Sequence, residues 1–400
     1  MDWSHSTLSD PPFGVCRLTG SPATADGTRF AGIWSDPLQP LPDLLLVLGS
    51  TRTAEQQGIS AAGCTPAARR TTALADAELL LNGPSVPPLW CLPPLPAGVS
   101  PALISWVVCD QLGLVPQVAA LGLPLPPQFP HLRFEDPCSG AAECVSSGCA
   151  METKRVQKLL DRGRRLGRRL RRPLVLAECV PGGTTTALAV LTGLGLHVQK
   201  LVSGSALHPP MALKQQLVSE GLSHLSGQSK IDAQALLAAV GDPFQVLATG
   251  LLIGVLDTDQ PVLLAGGSQM AAVLALALHA VSADRRQQLC DRVVIGTTAW
   301  LATERLQAAT PASSLVTLLC NLEQHYSVSL QAYASGLRFS ASRHSRLRDF
   351  ELGYVKEGVG AGGLALLAQW RGVSVDTLVQ CCDRAVDQLF AAGHANTVAP

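Results

Sequence analysis

The hydrophobic positions of this chain fall in short continuous runs rather than in strict alternation. The first is Asp43-Leu44-Leu45-Leu46-Val47-Leu48-Gly49. An aliphatic run with no polar alternate predicts a strand buried on both faces, the habit of parallel sheets. Comparable runs recur at residues 115–121, 174–177, 261–265 and 292–296. Between them, the pattern predicts helices over 66–81, 156–170, 185–194, 212–222 and 270–281. Strand and helix alternate, so the pattern predicts an α/β fold with a mostly parallel sheet.

Two apolar stretches are long enough to weigh as membrane spans. Phe244 to Leu256 is too short to cross a bilayer, and Pro261 to Val281 is broken by Gly266-Gly267-Ser268-Gln269. Both read as buried elements, the second as strand, loop and helix. Residues 1–40, rich in Gly, Pro, Ser and Asp, read as an irregular extension. Residues 41–390 read as the α/β domain and 391–400 as a tail. The proline-rich stretches 84–101 and 124–137 read as ordered surface connections.

The strand ends carry the candidate chemistry. Leu174-Val175-Leu176-Ala177-Glu178-Cys179-Val180-Pro181-Gly182-Gly183-Thr184-Thr185-Thr186 runs from an apolar strand through a carboxylate and two glycines into a helix start. Glycines admit a ligand close to the backbone, and a helix N-terminus presents free N–H groups to an anion. Similar loops begin at Gly49, Gly122, Gly266 and Gly296, each just after an aliphatic run. In a parallel sheet they gather at one edge, which predicts one pocket lined by backbone amides.

Composition narrows the partners. Hydrophobic residues make up 47% of the 400 and charged residues 15%, which excludes a disordered chain. Aromatics are 4%, so the core is aliphatic, and the formal net charge of zero points to neither nucleic acid nor membrane. Residues 154–172 hold ten basic residues against Asp161 alone. Val156, Leu159, Leu160, Leu166 and Leu170 give that segment an apolar face, and it carries no aromatic for stacking bases. It therefore reads as a surface amphipathic helix, with polyanion binding as the alternative. The twelve cysteines show no Cys-x-x-Cys pair, and Cys138, Cys144 and Cys149 lack zinc-knuckle spacing. Reduced thiols, a cytoplasmic location, no metal and no cofactor are the expectation. Asp242 reads as a helix N-cap or a site residue. Asp76 and Glu78 read as solvated helix charges or site residues. His208 and His344 read as structural or exposed.

Four blocks carry a resemblance. They are Gly58-Ile59-Ser60-Ala61-Ala62-Gly63-Cys64-Thr65-Pro66 continuing to Glu78, the Glu178 to Ala187 cradle, Ala239-Val240-Gly241-Asp242-Pro243 through Gly267, and Val355-Lys356-Glu357-Gly358-Val359-Gly360-Ala361-Gly362-Gly363. In these the chain resembles the nicotinate-nucleotide–dimethylbenzimidazole phosphoribosyltransferase family, and most of residues 40–390 resembles its UPF0284 branch. The resemblance implies a Rossmann-like sheet with a smaller, mainly helical subdomain built from N- and C-terminal segments, and a homodimer. It implies transfer of ribosyl phosphate from nicotinate mononucleotide to a lower-ligand base, benzimidazole- or purine-type, with release of nicotinate in cobamide assembly. Glu357 matches the family's general base, and Glu178 is its partner carboxylate. Gly182, Gly183, Thr184, Thr185, Thr186 and Lys214 would grip the phosphate, with Gly266, Gly267, Gly358 and Gly360 bordering the substrates. Two departures stand out: the acceptor-side Lys-Pro-x-Gly-Ser-Leu-Gly motif is missing, and Ala265-Gly266 replaces Asp-Gly. A nucleotide-binding protein without catalysis is the competing reading.

Overall fold

A computed structural model describes residues 14–19, 32–36, 38–93, 95, 97–225, 232–306 and 312–392. Most of the N-terminal extension, and the tail beyond residue 392, lie outside the described residues. Seven strands form one sheet: β1 (Cys16–Thr19), β2 (Asp43–Gly49), β3 (Pro116–Leu121), β4 (Leu174–Cys179), β5 (Val262–Ala265), β6 (Val293–Thr297) and β7 (Gln331–Ala334). Their spatial order is β1-β7-β6-β5-β4-β2-β3. All pairs are parallel except β1 with β7. The five strands expected from aliphatic runs are β2 to β6. The two edge-side strands β1 and β7 were not expected, and β1 lies inside the stretch read as irregular. Both are four residues long with mixed polarity, Cys-Arg-Leu-Thr and Gln-Ala-Tyr-Ala, which gives no continuous apolar signal.

Alternating side chains of the strands enter two separate cores. Leu45, Val47, Leu176, Leu264 and Ile295 face one layer of helices, including Thr153–Arg168, Gly183–Gly193, Pro243–Val255 and Ser268–Ala280. Leu44, Leu46, Leu48, Val175, Ala177 and Leu263 face the other. There Thr72–Asn82, Ala102–Leu112, Ala361–Trp370 and Val375–Ala391 pack together, joining early and late segments of the chain. Burial on both faces explains why these strands lack polar alternation. The expected helix over 66–81 is two, Pro66–Arg69 and Thr72–Asn82.

The basic helix Thr153–Arg168 lies against Pro243–Val255 with glycines at the crossing. A Cβ on Gly163 would stand 2.2 Å from the Leu247 carbonyl oxygen, and one on Gly250 would stand 2.3 Å from that of Leu160. Val156, Leu159 and Leu160 are buried there. Several of its basic groups meet partners within the chain: Arg155 pairs with Glu135, Arg164 with Asp161, and Arg168 with Asp257.

Topology locates the site. The crossover after β2 leads to β3 on one side, and that after β4 leads to β5 on the other. Since β2 and β4 are neighbours, with Val47 opposite Glu178, their carboxyl ends flank a topological switch point. Ligands of open α/β sheets bind in that crevice.

A candidate active site at the carboxyl ends of β2 and β4

A cavity of about 160 Å³ opens at this switch point. Its floor is Glu178 to Thr184, where β4 turns into helix Gly183–Gly193. Gly182 starts this turn with φ of 82°, the left-handed region that favours glycine. A Cβ on Gly183 would lie 2.4 Å from the Gln269 amide nitrogen, so the backbone there approaches as closely as a glycine allows. Gly267, Ser268 and Gln269 close one side, and Ser203 to Ala206 another. The apolar wall is Ile59 with Leu92, Leu95, Val99 and Pro101. The proline-rich stretch is thus a wall of the cavity as well as a connection.

The late acid arrives as expected. Glu357 lies in this cavity with Glu178. The Val359 N–H donates to the Glu178 carbonyl at 3.0 Å and ties the two segments together. The Glu357 loop bends sharply: Val355, Lys356 and Val359 all take positive φ, 63°, 65° and 51°. Side chains other than glycine cost about 1–2 kcal/mol each there, a strain that surrounding contacts must hold. Those contacts exist. The Thr298 hydroxyl donates to the Lys356 carbonyl at 2.6 Å, and the Val355 N–H donates to the Ser205 carbonyl at 3.1 Å.

The two carboxyls sit in different surroundings. Glu357 Oε2 accepts the Thr297 hydroxyl and the Thr298 N–H, both at 2.9 Å. Its Oε1 accepts the N–H groups of Gly362 at 3.0 Å and Gly358 at 3.2 Å. Burial raises the proton affinity of Glu357, and these four donors pull it back. Glu178 has, among the described residues, the Val180 N–H alone to favour its charge. Burial, with the carboxylates of Asp242, Glu357 and Asp76 nearby, pushes it up to about 8. The shift favours the protonated form of Glu178 near neutral pH. Two acids held in unlike surroundings are the usual means of dividing acid and base roles.

A third acid, Asp76, lines the cavity and is buried. It accepts the Ser100 hydroxyl at 2.7 Å and the Cys179 thiol at 3.4 Å, and burial pushes it up to about 6. It is therefore a cavity-wall group rather than a solvated helix charge. Glu78 instead accepts the N–H groups of Leu89 and Trp90 and anchors the proline-rich stretch. Asp242 caps helix Pro243–Val255 in a capping box with Gln245 and also accepts Gln269 at 3.1 Å. His208 is exposed, and His344 pairs with Asp387 at the surface.

The expected site residues divide into two shells. Glu178, Gly182, Gly183, Thr184, Gly267, Glu357 and Gly358 line the cavity. Thr185, Thr186, Lys214, Gly266 and Gly360 stand behind them. Thr186 is turned inward, bonding the Gly183 carbonyl at 2.9 Å and Asp242 at 2.5 Å. Gly360 packs on Ala177, with room of 2.7 Å between a built Cβ and the Ala177 Cβ. Lys214 is fully buried, and its ammonium donates to Thr184 Oγ1 at 3.1 Å and to the carbonyls of Val202 at 3.3 Å and Ser203 at 2.6 Å. Burial pulls it down to about 7.

The expectation that five glycine loops share one pocket needs correction: only those at Gly182 and Gly266–Ser268 contribute wall residues. Gly49 packs on Val180 and Phe244, Gly122 on the Gly140 carbonyl, and Gly296 on Gly363. These glycines admit close packing of protein on protein. Ser100, Lys356, Thr297 and Thr298 were missed. Lys356, beside Glu357, and Thr297 and Thr298, in the loop after Gly296, had a positional signal; Ser100 had none.

The fold and cavity define a doubly wound α/β protein with an acid-lined pocket at the switch point of its sheet. Residues 104–309 match the family model described as a phosphoribosyltransferase. The UPF0284 protein of Prochlorococcus marinus (strain MIT 9313) is 54% identical over 396 residues, 98% of each chain. The UPF0284 protein tll2306 of Thermosynechococcus vestitus is 40% identical over 385 residues, 94% of this chain and 98% of that one. CobT from Thermus thermophilus shares the fold, with a TM-score of 0.56 at 16% identity over 90% of this chain and 92% of that one. The chain belongs to the UPF0284 family, within the phosphoribosyltransferases.

Proposed function

We propose that this cavity transfers the ribosyl phosphate of nicotinate mononucleotide to a ring nitrogen of a lower-ligand base, benzimidazole- or purine-type, in cobamide nucleotide-loop assembly. The observation that carries the reading is the meeting of two carboxyls, from the end of β4 and from the 355–360 turn, beside a glycine-bounded helix start. In the reaction the bond from the anomeric carbon to nicotinate breaks, and its electron pair leaves with nicotinate. The acceptor nitrogen attacks from the opposite face and loses its proton to Glu357. The four donors on Glu357 keep it oriented and favour its ionised form. Glu178, whose protonated form is favoured by burial and the neighbouring carboxylates, donates a hydrogen bond within the same cavity. The amides after Gly182 and the Thr184 hydroxyl face the phosphate. General-base help contributes about 10²–10⁴-fold, and positioning adds to it.

A second reading, nucleotide binding without turnover, is favoured by one observation: protein donors already engage both oxygens of Glu357. One experiment separates the two. Purified protein is incubated with nicotinate mononucleotide and a panel of bases, and free nicotinate and a new riboside phosphate are measured. Product supports transfer. Mononucleotide binding with no nicotinate released from any base supports the second reading.

A further inference from the structure

We propose that Lys356 is the cation that receives the donor's phosphate, the task the family resemblance gives to Lys214. The inference deepens the reading above and rests on the same cavity. Among the described residues that line it, Lys356 is the one cation, against the acids Asp76, Glu178 and Glu357. A phosphate brought beside three carboxyl groups needs a positive charge close by, since helix-end amides carry only a partial one.

Lys214 is poorly placed for this. An ammonium has three protons, and those of Lys214 meet three protein acceptors: Thr184 Oγ1 and the carbonyls of Val202 and Ser203. It lies behind the wall and braces it. Lys356 is differently arranged. Its ammonium donates to the Ala206 carbonyl at 3.0 Å and to Glu304 Oε1 at 2.7 Å, which leaves one proton. Glu304 uses one oxygen in this pair, and its Oε2 is buried with no partner among the described residues. The pair therefore holds Lys356 in place without saturating it. Both lysines grip the 202–206 loop, Lys214 at Val202 and Ser203 and Lys356 at Ala206, and this loop and the Glu178 to Thr184 floor line the same cavity. Lys356 directly precedes Glu357, and both lie in the turn where Val355, Lys356 and Val359 take positive φ, so one strained turn supplies the acid and the cation together.

Calorimetric titration of the full chain with nicotinate mononucleotide, its phosphate-free riboside and ribose 5-phosphate tests this. Lys356→Met should weaken mononucleotide and ribose 5-phosphate by about 10- to 100-fold and leave the riboside within about twofold. Lys356→Arg should restore most of the loss. Lys214→Met should weaken mononucleotide and riboside alike, as a brace would. The proposal is overturned if Lys356→Met weakens the riboside as much as the mononucleotide, or changes neither. Should Lys356→Met not fold, Lys356→Arg decides: mononucleotide affinity kept within about threefold supports the role, and an equal loss for mononucleotide and riboside overturns it. If the wild type binds the mononucleotide and releases no nicotinate, transfer fails and the phosphate role stands. If it binds neither mononucleotide nor ribose 5-phosphate, both fail.

Discussion

The Glu178 carbonyl accepts the Val359 N–H at 3.0 Å, so the strand that carries one acid is clamped to the turn that carries the other. This one bond joins the end of β4 to the approach of helix Ala361–Trp370. It fixes the spacing of two carboxyls that no sequence proximity could set. Each acid can then be examined separately.

Glu357→Gln is expected to slow product formation by about 10²–10⁴-fold with donor affinity little changed. Single-turnover rates and mononucleotide titration measure the two. The amide also turns an –NH₂ group towards donors that now meet a carboxylate oxygen, so the melting temperature should fall, in line with a loss of about 1–3 kcal/mol. Equal loss of rate and donor binding would remove Glu357 from the role of base.

Glu178 makes stability depend on pH. Its folded-state value is raised from 4.5 to about 8, so between these limits the native state holds a proton that the unfolded chain releases. Stability from this group is intact below about pH 4.5 and declines as pH rises towards 8. Glu178→Gln should therefore stabilise the protein by up to a few kcal/mol at pH 8 and by much less at pH 5. Denaturant melts at the two pH values give the comparison, and the same gain at both would contradict the buried-acid account.

Gly163→Ala tests the helix crossing. Alanine is the better helix former by about 1 kcal/mol, but its Cβ would meet the Leu247 carbonyl oxygen at 2.2 Å and the Leu251 nitrogen at 2.8 Å. The expected result is a net destabilisation of about 1–3 kcal/mol, read from urea unfolding. Stabilisation would mean that the helices separate easily.

Gly362→Ala reaches the site through packing. A Cβ there would lie 2.1 Å from the Thr298 nitrogen and 2.5 Å from Glu357 Oε2. It should dislodge the carboxylate from its donors and depress turnover at least as strongly as Glu357→Gln. Normal activity in this variant would show that Glu357 need not be held as the structure holds it.

The central sheet was legible because β2 and β4 to β6 are buried on both faces, which leaves unbroken aliphatic runs in the sequence. β7 and β1 were not, since Gln331–Ala334 and Cys16–Thr19 mix polar and apolar residues over four positions. The Glu178 cradle was legible because its parts are consecutive. The apolar wall was not, because Leu92, Leu95 and Val99 lie in a proline-rich stretch with no period to read. Lys214 was noticed by position, but its burial depends on carbonyls at Val202 and Ser203 that no side-chain pattern announces. The donors to Glu357 come from the end of β6 and from the start of a helix beyond it, a gathering that only the fold reveals.

The late position of the 355–360 turn has a consequence for synthesis. A nascent polypeptide can lay down β2, β3 and β4 while residue 357 is still untranslated, so the glycine-bounded helix start is made before the acid that it meets in the cavity. Chains that leave the ribosome cut short before this turn would lack Lys356 and Glu357 of the cavity lining, and with them the two helices that complete the second core.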